Sequence, residues 1–213
     1  MEKFPITEKT EITRLAKRGV YDKETVYSIL DEALFCTLAY VRDGQPFQIP
    51  TGFNRIGNTI YLHGSVGSFY MRELAEKKLP VCISATLIDG LVLARSAFHH
   101  SVNYRSVVFF SEPRKVEDKE EQYKVLEHFT NKMQPGRWDD VRKPTDGEWK
   151  ATMLLAFDIN EASAKVRVGG PNDDEEDYAL DIWAGVVPLK LERKELIVDP
   201  KLKAGVDLPG YLR

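Results

Sequence analysis

Between Leu34 and Lys115 the chain is a succession of short β-prone runs, each cut by a residue pair suited to a tight turn. Leu34 to Tyr40 is apolar and β-rich, Asp43-Gly44 supplies a turn, and Phe47 to Asn54 returns. Gly57-Asn58 supplies the next turn, followed by Thr59 to His63. Such pairs tolerate positive φ, so the pattern predicts hairpins joined in series. Further strands are expected over 81–88 and 91–97 around an Asp89-Gly90 turn, then over 105–116, 152–158, 164–168 and 181–189. The strand–helix alternation of a doubly wound sheet is absent. The expectation is a mainly β protein: an antiparallel barrel, closed or nearly so, with short capping helices.

Three helices are expected. Asp22 is placed to cap one carrying Val26, Ile29, Leu30 and Ala33 at helical spacing. Ser68 is available to cap a second over 69–78. Asp118 and Glu121 form a capping-box pair before a third, with Tyr123, Leu126, Phe129 and Met133 on one side. Residues 134–150 read as a connection and the acidic stretch 172–177 as a solvated loop. This divides the chain into an N-terminal arm (1–20), one domain (21–190) and a C-terminal tail (191–213). A hydrophobic fraction of 43% suffices for a core. A net charge of −3 gives no general attraction to nucleic acid or acidic membranes. No run is long and apolar enough to span a bilayer, and the N-terminus lacks an apolar signal core. Cys36 and Cys82 sit in apolar runs without CxxC spacing, which predicts free thiols and a cytoplasmic protein.

Three segments could carry chemistry. In His63-Gly64-Ser65-Val66-Gly67-Ser68 a strand runs into a small-residue bend that opens a helix. Converging amides, serine hydroxyls and a helix N-terminus suit an anion such as phosphate. The Lys and spacing of a nucleotide-hydrolysing P-loop are missing, and a plain capped turn explains the bend about as well. The second segment, His99 to Ser106, contains Arg105, which could bring the bend the positive charge it lacks. Adjacent histidines on a strand point to opposite faces, which argues against a shared metal. The third pairs Lys165 and Arg167 on one strand face and adds Trp183, able to stack on a flat ring or to fill core. No catalytic triad, paired-carboxylate motif or dinucleotide fingerprint is present, so no catalytic side chain and no protein-bound metal is assigned.

Taken together and in order, these strings resemble the pyridoxamine 5′-phosphate oxidase-related FMN-binding proteins, in particular the nitroimidazole-resistance (Nim-type) branch. The resemblance rests on Tyr61 to Ser65, Asp89 to Ser101, Asn103 to Val108, Pro135 to Trp138 and Trp183 to Leu189. It implies an FMN-binding split β-barrel, antiparallel and Greek-key-like, and a homodimer with flavin at the subunit interface. Carried over by position, Gln48, Pro50 and Thr51 would lie along the isoalloxazine edge. His63, Gly64, Ser65 and Ser68 would surround the phosphate. Asn103, Tyr104, Arg105 and Ser106 would complete the pocket. Trp183 would lie near the ring, with Lys165 or Arg167 facing flavin or substrate. Phe69 stands where many relatives carry a cation, for which Arg72 or Arg18 could substitute. The implied activity is flavin-dependent oxidation or reduction of a small molecule. A non-catalytic flavin carrier or sensor on the same fold is the alternative.

Overall fold

The structure is a computed structural model that describes residues 2–213. Eleven strands and five α-helices follow one another as β1 (Gly19–Val20), α1 (Lys23–Glu32), β2 (Phe35–Arg42), β3 (Gln45–Gly52), β4 (Asn54–Ile56), β5 (Thr59–Ser65), α2 (Phe69–Lys77), β6 (Val81–Leu93), β7 (Ser101–Ser111), β8 (Pro113–Lys115), α3 (Lys119–Met133), α4 (Arg137–Asp140), α5 (Asp146–Ala151), β9 (Thr152–Asp158), β10 (Glu161–Arg167) and β11 (Gly185–Pro188). One sheet runs β1-β10-β7-β6-β2-β3, with β11 added to the far half of β6; the other runs β4-β5-β9-β8. Every pairing is antiparallel. The expected mainly antiparallel β architecture is what forms, as two sheets around one core.

The core is the meeting of inward strand positions. Leu38, Ile60, Leu62, Ile83, Phe109, Leu155 and Phe157 are fully buried. Val26, Ile29 and Leu30 of α1 and Met71 and Leu74 of α2 close over them. Each such side chain contributes roughly 1.5–3 kcal/mol of transfer free energy. Asp22 caps α1 by accepting from the Thr25 amide at 2.8 Å. The Asp43-Gly44 turn has φ of 50° and 79°, the left-handed pair that a two-residue hairpin requires.

Four local expectations are corrected. Asp89-Gly90 is no turn: β6 runs straight through it with a bulge between Ile88 and Gly90. Glycine is needed there because β11 passes close. A Cβ on Gly90 would lie 3.0 Å from Val186 Cγ1 and 3.1 Å from the Val187 carbonyl. The strand expected over 181–189 shortens to β11, which pairs with β6 only from Gly90 to Leu93. Asp118 does cap α3, accepting from the Glu121 amide, but the Glu121 carboxylate turns to Arg114 and Tyr61 instead of closing the box. The complete capping box belongs to α5, between Thr145 and Glu148. The acidic stretch is not solvated throughout, because Asp173 is buried against Arg95.

Both chain ends are tied to the domain. Phe4 of the arm is part of the core. Tyr211 of the tail accepts at its carbonyl from Gln134, and its hydroxyl donates to Asp140. Cys36 and Cys82 are free thiols, and burial raises the Cys36 thiol to about 12. No helix among the described residues is long and apolar enough to cross a membrane.

Candidate flavin site

β5 delivers His63, Gly64 and Ser65 into a bend fastened at three points. The Val66 amide donates to the Ala151 carbonyl, the Ser68 amide to the Ser65 carbonyl, and the Gly67 amide to Ser65 Oγ. These bonds use the amides of Val66, Gly67 and Ser68, so the expected convergence of bend amides on an anion is corrected: the donors left over are the Ser68 hydroxyl and the first-turn amides of α2. Ser68 sits at the N-cap of α2, yet its hydroxyl makes no capping bond. The first-turn amides of α2 are left without a side-chain acceptor, and the positive end of the helix is uncompensated.

β3 comes to the same place. It is the outer strand of its sheet, and Gln48 and Pro50 are exposed on it. The Thr51 side chain lies beside the Tyr70 phenol on α2. The next residue, Gly52, faces the ring of Phe129 on α3, 3.6 Å from where its Cβ would be. The His63 ring meets Phe129 edge-on at 4.3 Å between centroids. Burial lowers the His63 pKa, so the imidazole is neutral at pH 7. Phe129 thus meets both Gly52 at the end of β3 and His63 at the end of β5, while Gln48 and Pro50 lie exposed farther along β3. A cation that sequence reasoning did not place here stands beside Phe69: the Arg42 guanidinium lies 4.9 Å from the Phe69 ring centroid. Arg72 is exposed, and Arg18 lies beside Arg167.

The remaining candidates form a second group on β7, β10 and β11. β7 and β3 are separated by β6 and β2, about 14 Å at the usual strand spacing. Arg105 does not turn toward the bend. Its Nε and Nη2 donate to Asp89 at 2.9 and 2.7 Å, and its other edge is taken by Glu32. The same contacts hold both carboxyls below their ordinary pKa values, the Arg105 hydrogen bonds being the largest cause. Ser106 hydrogen-bonds the Lys165 carbonyl at 3.4 Å. Lys165 reaches the Arg14 carbonyl at 3.2 Å. Arg167, expected beside it, is buried instead. It donates to Asn103 and to the carbonyls of Gly169 and Gly170 at 3.1 and 3.0 Å. Tyr104 lies directly across from Arg167 in the ladder. Trp183 is 68% exposed, lying over Gly185, and does not fill core.

Two cavities lie elsewhere. One of about 1010 Å³ is lined by arm residues Pro5, Thr7 and Lys9 and the ends of β2, β6 and β7. A second, of about 420 Å³, lies between Asp31, Arg55, His128 and Lys132. Burial lowers Lys132 to about 8, but its ammonium is already placed: it donates to the Leu30 carbonyl at the end of α1 and sits 4.1 Å over Phe53. Neither cavity contains a candidate flavin residue.

Arg105→Ala should lower stability by about 1 kcal/mol at pH 7, the modest value expected for partly exposed pairs. Glu32 and Asp89 have depressed pKa values in the fold, so their contribution exists above the ordinary carboxylate range and vanishes as pH falls. The gap between variant and wild type should therefore close below about pH 4. Denaturant melts at pH 7 and pH 3.5 check this, and a gap that widens in acid would exclude it.

Two sheets of antiparallel strands with short helices packed over them are the architecture of the split-barrel proteins. The family model for pyridoxamine 5′-phosphate oxidase matches residues 22–166, and the chain belongs to that family. Among solved structures, the flavocytochrome Anf3 from Azotobacter vinelandii is 35% identical, with a TM-score of 0.90, covering 97% of this chain and 95% of its own. The FAD and heme binding protein from Mycobacterium smegmatis is 36% identical, with a TM-score of 0.87, covering 92% and 95%. A candidate 5-nitroimidazole antibiotic resistance protein from Bacteroides thetaiotaomicron shares the fold at 21% identity and a TM-score of 0.59, covering 70% and 86%. No curated protein matches the chain significantly.

Proposed function

We propose that this chain is a flavin-dependent redox protein that also carries a haem. The observation that carries the flavin half is the 63–68 bend: a rigid turn, a free Ser68 hydroxyl and the uncapped first turn of α2, beside the exposed edge strand β3. These groups suit a phosphoryl group and the ring system attached to it. Riboflavin phosphate is common to FMN and FAD. The bend therefore serves FMN, the cofactor expected from sequence, and equally the FAD of the M. smegmatis relative. The haem half is supported by the flavocytochrome and the FAD and heme binding protein, similar to this chain over nearly its whole length.

The two groups of candidate residues fit a homodimer with flavin at the subunit interface. The open edge at β3 and the exposed Leu34 and Phe35 support such an association. Trp183 and the Asn103–Ser106 segment would then approach the flavin from the partner subunit. The domain would comprise residues 21–190, with the arm and tail as appendages. The chemistry is the flavin's: bound there, it exchanges electrons with a small molecule, while the chain binds, orients and shields it. The free thiols of Cys36 and Cys82 suit a reducing cytoplasm.

The test is the visible spectrum of the full chain, incubated with FMN or FAD and passed through gel filtration. Retained flavin bands are expected, with the flavin identified by mass after release. Reoxidation of the dithionite-reduced protein by a quinone or nitro compound distinguishes turnover from mere carriage. Loss of all flavin during filtration would overturn the proposal.

A further inference from the structure

We infer that the cavity between the C-terminal ends of α1 and α3 and the turn after β4 binds a small oxyanion, a carboxylate or a phosphate group. It contains no candidate flavin residue, so the inference stands apart from the flavin and haem readings.

The cavity holds about 420 Å³, and its polar lining is Asp31, Arg55, His128, Asn131 and Lys132. The bonds these side chains already make fix what each can still offer. Asn131 Oδ1 accepts from the Trp138 amide at 3.2 Å, which leaves the two N–H groups of its own side chain. His128 Nδ1 lies 3.3 Å from Asn54 Nδ2, which can only donate and also donates to the Val125 carbonyl at 3.2 Å. Nδ1 is therefore the acceptor, and the proton of the neutral ring is on Nε2, on an exposed side chain. Lys132 gives one of its three N–H groups to the Leu30 carbonyl. Arg55 donates from Nε and Nη2 to Asp31 at 2.8 and 2.5 Å and from Nη1 to the Gly57 carbonyl, which leaves two of its five N–H groups.

The lining is thus rich in donors and poor in acceptors. Its one carboxylate, Asp31, is bound at both oxygens by Arg55. Charge follows the same pattern, since Arg55 and Lys132 face a single aspartate. Aromatic rings hold both cations in place: the Arg55 guanidinium lies 4.2 Å over Tyr27 and the Lys132 ammonium 4.1 Å over Phe53. Burial is the largest cause lowering the pKa of His128 and of Lys132, and neighbouring cations act in the same direction, Lys132 on His128 and Arg55 on Lys132. A bound oxyanion supplies the missing negative charge and the missing acceptors in one group. Affinity should fall as pH rises through about 8, where Lys132 loses its proton. The other charged or titratable groups around that ammonium are Asp31 of α1, Arg55 of β4, His128 of α3 and Cys36 of β2. Of these, His128 gains its charge only in acid, and the Cys36 thiol is raised to about 12.

The experiment titrates the purified full chain with inorganic phosphate and with succinate by calorimetry at constant ionic strength, with glycerol as the uncharged control. Acetylation of Lys132 by acetic anhydride, read by peptide mass spectrometry against the exposed Lys124, reports on the cavity itself. Saturable binding of at least one anion is expected, with protection of Lys132 and not of Lys124. Saturation by phosphate alone assigns a phosphate group, and by succinate alone a carboxylate. Asn131→Asp keeps the Oδ1 acceptor for Trp138 but sets a carboxylate in the cavity, and should bind at least about tenfold more weakly. Lys132→Gln keeps a donor for the Leu30 carbonyl without the charge, and should lose the fall in affinity near pH 8. Far-UV circular dichroism checks that both variants fold. Wild-type affinity in Asn131→Asp, protection of Lys132 by glycerol as strong as by the anions, or no saturable binding of either anion to wild type would each overturn the inference.

Discussion

Ser68→Asp should bind flavin about 100-fold more weakly than wild type while unfolding at a higher temperature. The two effects come from one position because the N-cap of α2 is also the anion end of the proposed site. In the structure the Ser68 hydroxyl forms no capping bond. An aspartate there would accept from the first-turn amides and place negative charge at the positive end of the helix dipole, adding about 0.5–1 kcal/mol of stability. The same carboxylate would stand a few ångströms from a phosphoryl group. At an effective dielectric constant near 20, like charges about 4 Å apart repel by about 4 kcal/mol before salt screening, which leaves about 2.7 kcal/mol, the equivalent of 100-fold. Ser68→Asn supplies the control: it caps equally well without the charge, so it should stabilise and keep the flavin. Fluorescence titration with FMN and a thermal melt measure both. An aspartate variant with wild-type affinity would show that the phosphoryl group lies elsewhere.

The bend was readable from sequence because everything that makes it is local. Gly64, Ser65, Gly67 and Ser68 lie within five positions, and their bonds run to one another or to one neighbouring carbonyl. The hairpin at Asp43-Gly44 and the cap at Asp22 were legible for the same reason. Asp89-Gly90 shows where local reading fails. It has the same composition as the true turn, but β11, from the far end of the chain, packs across Gly90, and the carboxylate of Asp89 is taken by Arg105. The acidic loop misled in the same way. Asp173 is buried only because Arg95, 78 residues earlier, supplies its amide and guanidinium.

The site residues divide on the same principle. β3 and the bend belong to different sheets, and Phe129 of α3 is the side chain that meets both Gly52 and His63. Arg105 was expected to serve the bend because the two segments are both polar and donor-rich. Strand order instead places two strands between β7 and β3, and two carboxylates outside the motif capture the guanidinium. Ala97–His99 is a turn of 3₁₀ helix, so the strand reading that sets His99 and His100 on opposite faces does not apply there.

Arg167→Leu should be among the most damaging single substitutions in the chain, costing about 3 kcal/mol of stability. Sequence alternation suggested a charge facing a ligand, but the side chain is only 8% exposed and organises the loop behind it. One guanidinium donates to the carbonyls of Gly169 and Gly170 and to the Asn103 side chain, while the Asn103 amide donates to the Gly169 carbonyl. Gly169, at φ +98°, turns the chain so that these acceptors converge. Burial, with Arg18 as a lesser cause, lowers the Arg167 pKa, so the fold holds this charge against a desolvation cost. The carbonyl bonds are what offset that cost. Leucine fills similar volume but leaves the acceptors without their donor, each a penalty of about 1–3 kcal/mol where water cannot reach. Arg167→Lys should recover only part of the loss, because an ammonium cannot span acceptors that a planar fork reaches at once. A midpoint lower by about 6–12 °C for the leucine variant is expected for a chain of this size, with lysine between it and wild type. A leucine variant melting with wild type would mean that water or solvent-facing backbone already satisfies these carbonyls, and that Arg167 is free to serve a ligand instead.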